Sequence, residues 1–190
     1  MSKKIICTFV CSMVAFALLQ CGESGSKTIL SSNKNISEET PAEIKIADAK
    51  GNITTLGDKM TKEYLFVDFS RSGCSACQAA ATDINSNKDF QDTMTNFKCS
   101  MVTITPKSGL SAWLRVVGQD SWVAGHSYRP TEMEYDKVAS ALNFQLSYVP
   151  TFLLIDKKWN IVKRDGLNSA MGDIESHDNA VLKQICLGKK

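Results

Sequence analysis

The chain has 190 residues, of which 43% are hydrophobic and 22% are charged, the composition of an ordinary globular protein. It has 22 basic and 20 acidic residues, which gives a net charge of +2. This excess disappears if Lys3 and Lys4 belong to a cleaved leader (22 minus 2 leaves 20). A net charge near zero gives no support to nucleic-acid binding or to a polybasic membrane surface. We therefore expect a globular protein that binds no nucleic acid.

The first twenty residues differ from the rest of the chain. Lys3 and Lys4 are followed by the uncharged apolar run 5–19 (IICTFVCSMVAFALL). This run is shorter than the roughly 20 residues with which a helix spans a bilayer. A basic start followed by a short apolar run predicts a secretory signal peptide over residues 1–20, which takes no part in the fold.

The segment that follows resembles a bacterial lipobox, in which a cysteine is lipidated and becomes the first mature residue. Cys21 in LLQCGES stands at that place, although Gln20 differs from the small residue typical of the motif. Residues 21–41 are rich in Ser, Asn, Gly and Glu and predict a flexible tether, because they cannot bury enough apolar surface to fold. The resemblance implies a lipid-anchored protein of the bacterial cell envelope, on the periplasmic or extracytoplasmic face.

Residues 42–190 are enough for one domain with a hydrophobic core. Their first half predicts strands and helices in alternation. The elements are a hairpin around Lys50–Gly51–Asn52 with Ile44, Ile46, Ile53 and Leu56 pointing inward, a doubly covered strand over 64–70, helices over 75–86 and 89–96, and a buried strand over 97–105.

The second half of this region continues the same pattern, with a weaker middle. The elements are a helix over 110–117 ended by Gly118, a weak strand or loop over 121–128, a helix over 131–142 opened by a capping box of Thr131 and Glu134, strands over 151–155 and 160–164, and a final amphipathic helix over 174–187.

A Cys-Ser-Ala-Cys motif stands where the first central strand leads into a helix. Cys74 falls at the helix N-terminus, where unpaired N–H groups and the helix dipole stabilise a thiolate. Its pKa should therefore lie below that of a free thiol, which makes Cys74 the expected nucleophile and Cys77 the residue that closes the disulfide. A static disulfide, a metal site or core packing are the alternatives.

Two further residues extend this motif. Asp68 lies inside an apolar strand, where burial should raise the pKa of its carboxyl group and suit it to carry a proton for Cys77. It could instead be a buried, hydrogen-bonded structural carboxylate. Pro150 in YVPTF stands just before a predicted strand, a place that tolerates a residue without an N–H group.

The pattern VDFxxxxCxxC, the distant VPT before a hairpin and the closing helix resemble the thioredoxin superfamily, and most closely its membrane-anchored TlpA/ResA-type branch. The similarity covers about residues 42–188. It implies an α/β thioredoxin fold in which helices flank a central mixed β-sheet. An N-terminal β-hairpin like residues 44–56 comes first in this branch, and an insertion like residues 106–145 precedes the cis-proline loop.

The resemblance also implies roles for particular residues. Pro150 is the cis-proline that faces the disulfide, and Val149 and Thr151 beside it bind an extended substrate. The chain departs from the family at three places near the cysteines. Ser70 stands for the usual tryptophan, Gly73 for an aromatic residue and Ala76 for a proline.

The function implied is a thiol–disulfide oxidoreductase that exchanges disulfides with exported proteins. Cys74 is the nucleophile, Cys77 the resolving cysteine and Asp68 the proton carrier. No organic cofactor is expected, because the electrons reside on the Cys74–Cys77 pair. The expected partners are exported protein thiols or disulfides and a membrane redox partner. The alternative is a non-catalytic binding or metal-delivery lipoprotein on the same fold, whereas the residues before Cys74 lack the context of a peroxiredoxin.

Several other side chains have more than one interpretation. Cys99 and Cys186 are most simply buried small hydrophobic residues, and a disulfide between them is possible in an exported domain. A metal site at Cys74 and Cys77 would need further ligands, and neither His126 nor His177 is spaced as one. The tryptophans should pack in the core, although Trp122 with Tyr128 could line a substrate groove.

Overall fold

The computed structural model describes residues 40–165. The expected signal peptide, Cys21, the tether up to residue 39 and the helix predicted over 174–187 lie outside the described residues and stay predictions. Within residues 40–165, no helix combines the length and apolar character that crossing a bilayer requires.

Within residues 40–165, seven strands form one mixed sheet. They are β1 (Lys45–Ala47), β2 (Ile53–Thr55), β3 (Tyr64–Phe69), β4 (Cys99–Ile104), β5 (Ser127–Pro130), β6 (Thr151–Asp156) and β7 (Ile161–Asp165). Their order across the sheet is β2-β1-β5-β4-β3-β6-β7. The central strand β3 is parallel to β4 and antiparallel to β6, so the sheet has the mixed character that was expected.

In the part of the chain that the structure describes, six α-helices and one short 3₁₀ turn accompany these strands. They are the 3₁₀ turn Pro41–Glu43 and the helices α1 (Leu56–Lys59), α2 (Ser75–Ser86), α3 (Lys88–Asn96), α4 (Leu110–Val117), α5 (Trp122–Gly125) and α6 (Tyr135–Ala141). The bounds of α2 and α4 are those predicted. Gly118 ends α4 at a φ of 86°, a conformation that glycine adopts without a steric penalty.

The alternation of side chains along β3 divides the core between the two faces of the sheet. Phe66 packs on one face with residues of α2, α3, α4 and α5, including Cys77 and Trp113. Leu65, Val67 and Phe69 pack on the other face with residues of α6. The central strand is thus covered on both sides, which explains its nearly continuous apolar sequence.

The N-terminal hairpin forms around the predicted turn, but its second strand was interpreted wrongly. Ile53 is 66% exposed rather than directed inward, because β2 is an edge strand. Leu56 is buried, yet it begins α1 instead of continuing the strand. The Thr55 side chain accepts a hydrogen bond from the Asp58 backbone N–H at 3.1 Å and thereby caps that helix.

The weak strand or loop predicted over 121–128 is a short helix followed by a strand. The Ser121 hydroxyl accepts a hydrogen bond from the Ala124 N–H at 3.2 Å and caps α5. The Asn85 side chain, which lies in α2, accepts another from the Val123 N–H at 2.9 Å. The helix therefore depends on a partner 38 residues away along the chain, which the local sequence does not reveal.

The capping box predicted for Thr131 and Glu134 is also wrong. The N–H and the hydroxyl of Thr131 both donate to the carbonyl oxygen of Lys45, at 3.1 and 3.2 Å, so this residue extends the contact between β5 and β1. Glu132 forms an ion pair with the Lys45 ammonium group at 2.7 Å. These contacts hold the segment extended, and α6 begins only at Tyr135.

The core contact of α4 gives a test of the fold. Trp113 is completely buried and its indole N–H donates to the Ser127 hydroxyl at 3.0 Å. We expect Trp113→Ala to lower the free energy of unfolding by about 3–5 kcal/mol, as truncation of a large buried side chain does. Val116→Ala, on the exposed side of the same helix, should change it by less than about 0.5 kcal/mol. Urea denaturation measures both, and equal effects would contradict this packing.

Candidate active site

Cys74 and Cys77 form a disulfide at the point where β3 leads into α2. Cys74 is the N-cap residue of α2, and its Sγ accepts a hydrogen bond from the Cys77 backbone N–H at 3.1 Å. The loop before it is held by the Gln78 side chain, whose amide donates to the Ser72 carbonyl oxygen at 2.6 Å. A thiolate at Cys74 would receive the same N–H and the positive end of the α2 dipole.

The two sulfur atoms differ in their access to solvent. Cys74 is partly exposed, whereas Cys77 is completely buried in the core beneath α2. Solvent therefore reaches Cys74 and not Cys77. This difference is consistent with the roles predicted from the sequence, in which Cys74 attacks a partner and Cys77 closes the disulfide.

A second loop lies against the disulfide. The peptide bond between Val149 and Pro150 is cis, as the family resemblance implied. Thr151 follows and pairs with Phe69 in the antiparallel register of β6 and β3, which brings this loop to the same end of the sheet as the cysteines. The carbonyl oxygen of Val149 lies 3.5 Å from the Cys74 Sγ.

Asp68 is a carboxyl group inside the core, with 2% of its surface exposed. The Ser70 hydroxyl donates to its Oδ1 at 2.6 Å, and the Thr103 hydroxyl donates to its Oδ2 at 3.1 Å. Burial raises the pKa of Asp68 from 3.8 to about 7, and the two hydrogen bonds act in the opposite direction. The raised pKa expected from the sequence is thus found, at a value that suits proton transfer near neutral pH.

Asp68 and Cys77 lie on the same side of the sheet. The buried cluster that contains Cys77 also contains Phe66 and Phe152. Phe66 stands two residues before Asp68 on β3, and Phe152 is the residue opposite Asp68 on β6. Because side chains two residues apart on a strand share a face, the Asp68 carboxyl belongs to the face that α2 covers.

Ser70 and Thr103, the hydrogen-bond partners of Asp68, were not identified from the sequence. Ser70 was noted only as a departure from the family pattern. Thr103 is the residue opposite Asp68 in the parallel pairing of β3 and β4. A polar residue inside the apolar strand 97–105 was a signal, but the register that joins it to Asp68 comes from the sheet.

The groove suggested for Trp122 and Tyr128 does not form. Trp122 packs with the α2 face, where it stacks on His126 with ring centroids 4.0 Å apart. Tyr128 belongs to the cluster on the opposite face, under the Lys59 ammonium group. The two rings are separated by the sheet, so they cannot line one groove.

The remaining sequence candidates lie elsewhere. His126 is half-buried, its Nδ1 is 2.8 Å from the Trp122 carbonyl oxygen, and burial lowers its pKa. Cys99 is completely buried at the start of β4 and is not a free thiol. Cys186 and His177 lie outside the described residues, so a pairing of Cys99 with Cys186 stays a prediction. Among residues 40–165, no group of three or more His, Cys, Asp and Glu side chains is arranged to hold a metal ion.

The comparisons with known proteins point to one fold. No protein-family model and no curated protein sequence matches the chain. A thiol:disulfide interchange protein from Bacteroides sp. matches in structure with a TM-score of 0.57 and 20% identity, over 77% of this chain and 88% of that one. The thioredoxin domain of a thiol-disulfide oxidoreductase from Bacteroides vulgatus matches with a TM-score of 0.56 and 18% identity, over 76% and 96%.

A thioredoxin from Wuchereria bancrofti is also similar, with a TM-score of 0.53 and 15% identity, over 77% of this chain and 97% of that one. At these identities the similarity concerns the fold. Residues 40–165 have the thioredoxin fold, in the α/β class predicted from the sequence.

The buried carboxyl group predicts a specific pH dependence of stability. In the unfolded chain Asp68 ionises near 3.8, whereas in the folded chain its pKa is about 7, so ionisation opposes folding above pH 4. Relative to the wild type, oxidised Asp68→Asn should gain stability as the pH rises from about 4 to 7. Above pH 7 the gain should reach roughly 4 kcal/mol and stay constant.

Chemical denaturation at a series of pH values measures this difference. Asp92→Asn, at an exposed acid on α3, is the matched control and should show no such trend. A constant difference between Asp68→Asn and the wild type from pH 4 to 8 would contradict the raised pKa.

Proposed function

We propose that this thioredoxin-fold chain is a thiol–disulfide oxidoreductase that exchanges disulfides with exported proteins outside the cytoplasm. The observation that carries the proposal is the unequal access of the two bonded cysteines, with Cys74 partly exposed at a helix N-terminus and Cys77 completely buried behind it. The names of the structural neighbours from Bacteroides support the same class of reaction.

In the reducing direction the reaction has two exchange steps. The Cys74 thiolate attacks one sulfur of a substrate disulfide, and the other substrate sulfur leaves as a thiolate. The Cys77 thiolate then attacks the Cys74 Sγ, which re-forms the internal disulfide and releases the second substrate sulfur. Two electrons pass from the cysteine pair to the substrate, and the oxidising direction is the reverse sequence.

Asp68 would supply the proton transfer that the second step needs. In the reduced protein, the thiol of the buried Cys77 must lose its proton before it attacks. The Asp68 carboxylate, on the same face of the sheet, accepts that proton and becomes a neutral carboxylic acid. With a pKa of about 7, the group can change its charge at the pH at which exported proteins work.

The loop at Val149, Pro150 and Thr151 would hold the substrate. The Val149 carbonyl oxygen beside the Cys74 sulfur marks where a substrate backbone can pair with this loop as an extra strand. Recognition through the backbone needs no particular substrate side chain, which suits an enzyme that acts on several proteins.

The location of the enzyme rests on the N-terminal sequence. The signal peptide over residues 1–20 would direct export, and lipid on Cys21 would anchor the chain to the membrane. A tether over residues 21–41 would leave the domain free to meet its substrates and a membrane partner that restores its redox state.

The reduction potential of the Cys74–Cys77 pair tests whether the pair is redox-active. We expect the full-length protein to equilibrate between dithiol and disulfide in defined thiol–disulfide buffers, with alkylation and peptide mapping to follow this pair alone. A midpoint near about −270 mV would indicate a reductant, and one near about −120 mV an oxidant. If no buffer interconverts the two states, the enzyme proposal fails and metal binding by the thiols becomes the next hypothesis.

Trapping of partners tests the order of the two steps. Cys77→Ser should accumulate mixed disulfides between Cys74 and exported proteins, because the resolving thiol is missing. Cys74→Ser is the matched control and should accumulate few or none, since Cys77 is buried. Non-reducing electrophoresis of the two variants gives the comparison, and equal trapping by both would contradict the assignment of Cys74 as the nucleophile.

A further inference from the structure

We propose that Ser70 and Thr103 are positioning residues for Asp68, which hold its carboxyl group in one orientation and stabilise its charged form so that it accepts the Cys77 proton. This inference deepens the proposed function and rests on it. It concerns two residues that act through the carboxyl group.

The geometry gives each carboxyl oxygen its own donor. The Ser70 hydroxyl donates to Oδ1 at 2.6 Å and the Thr103 hydroxyl to Oδ2 at 3.1 Å. All three side chains are buried, with exposures of 1% for Ser70, 0% for Thr103 and 2% for Asp68. Among the described residues, these two hydroxyls are the hydrogen-bond donors that this carboxyl group meets, so they replace the hydration that a charged carboxylate has in water.

The backbone fixes both donors in place. The Ser70 N–H donates to the Ile104 carbonyl oxygen at 3.1 Å, which continues the pairing of β3 with β4 by one residue. The Thr103 N–H donates to the His126 carbonyl oxygen at 2.7 Å, which ties β4 to the start of β5. Each hydroxyl is therefore placed by the sheet before Asp68 ionises, and a pre-placed dipole needs no reorganisation when charge appears.

Burial and the two hydrogen bonds have opposite effects on the pKa of Asp68. Burial favours the neutral acid, whereas a hydroxyl that donates to a carboxylate favours the ion. The two bonds lower the pKa of Asp68 while burial raises it, and the result is about 7. Without the donors the acid would stay protonated at neutral pH, and a protonated carboxyl group cannot accept the proton that Cys77 gives up.

Other ionisable groups near Asp68 come from two directions. Cys77 on α2 shares its face of the sheet. Tyr135 packs from the opposite face, where its ring meets Phe69 edge-on. Burial raises the pKa of Tyr135, the negative charge of Asp68 raises it further, and Arg71 lowers it. Since Tyr135 stays neutral at physiological pH, its ionisation does not compete with the effect of the two hydroxyls.

The direct test is the titration of the Asp68 carboxyl carbon by ¹³C NMR in the oxidised full-length protein. We expect Ser70→Ala and Thr103→Val each to move the midpoint upward by about one pH unit, the effect of one lost hydrogen bond to a charged group. Thr103→Ser keeps the hydroxyl, so its midpoint should stay close to that of the wild type. Each of the two deletions is informative alone if the other variant does not fold.

Two buried hydroxyls, one on β5 and one directly after β4, provide matched controls. Ser127 and Thr105 are 1% and 0% exposed, and they donate to the carbonyl oxygens of Val123 and Tyr128 rather than to Asp68. Ser127→Ala and Thr105→Val should destabilise the fold to a similar extent and leave the Asp68 midpoint unchanged. If they shift it as much as Ser70→Ala does, the effect is general and the inference is wrong.

The kinetic test follows the resolving step. In stopped-flow measurements the rate of Cys77 attack on a mixed disulfide at Cys74 should fall about tenfold in Ser70→Ala at pH 6 and remain near the wild-type rate at pH 9, where Asp68 is charged in both proteins. An unshifted NMR midpoint overturns this inference even if the protein is an active oxidoreductase. A shifted midpoint in a protein without exchange activity overturns the proposed function instead, because the titration needs no turnover.

Discussion

The pairing of β3 with two different neighbours is the constraint on which the candidate site depends. All six residues of this strand pair in parallel with β4 and antiparallel with β6, from Tyr64 to Phe69. The first pairing places Thr103 beside Asp68, and the second brings the Val149 loop to the end of the strand that leads to Cys74. A slip of β3 by one residue would turn Asp68 to the opposite face of the sheet. Asp68 would then lose its position beside Thr103, and the Val149 loop would lose its position near Cys74.

Asp68 is a polar residue at a buried position of an apolar strand. An apolar strand covered on both faces would be more stable with an apolar residue there, since a buried carboxyl group resists ionisation. The large side chains around it, Phe66 and Phe152 on the same face and Phe69 on the other, keep the strand in place regardless. A local inconsistency of this kind, supplied with two hydroxyl donors, is typical of a functional position.

The elements that the sequence predicted well are those with local signals. The bounds of α2 and α4 follow from a capping cysteine and a terminal glycine within the same few residues. Two of the segments predicted wrongly depend on distant partners. The helix α5 binds the Asn85 side chain, and Thr131 binds the Lys45 carbonyl group instead of capping a helix. Local propensity contains no information about such partners.

By itself, the sequence determined that a buried strand with an internal carboxyl group leads into a helix capped by one of two cysteines, and that a proline precedes a later strand. Each of these features is written in adjacent residues. Only the tertiary structure decided that Val149 lies against the Cys74 sulfur and that the hydroxyls of Ser70 and Thr103 donate to the Asp68 carboxyl group. It also decided that Trp122 and Tyr128 lie on opposite faces of the sheet. The physical reason is that strand register between distant segments is set by how their side chains pack across the whole sheet, and no local pattern contains it.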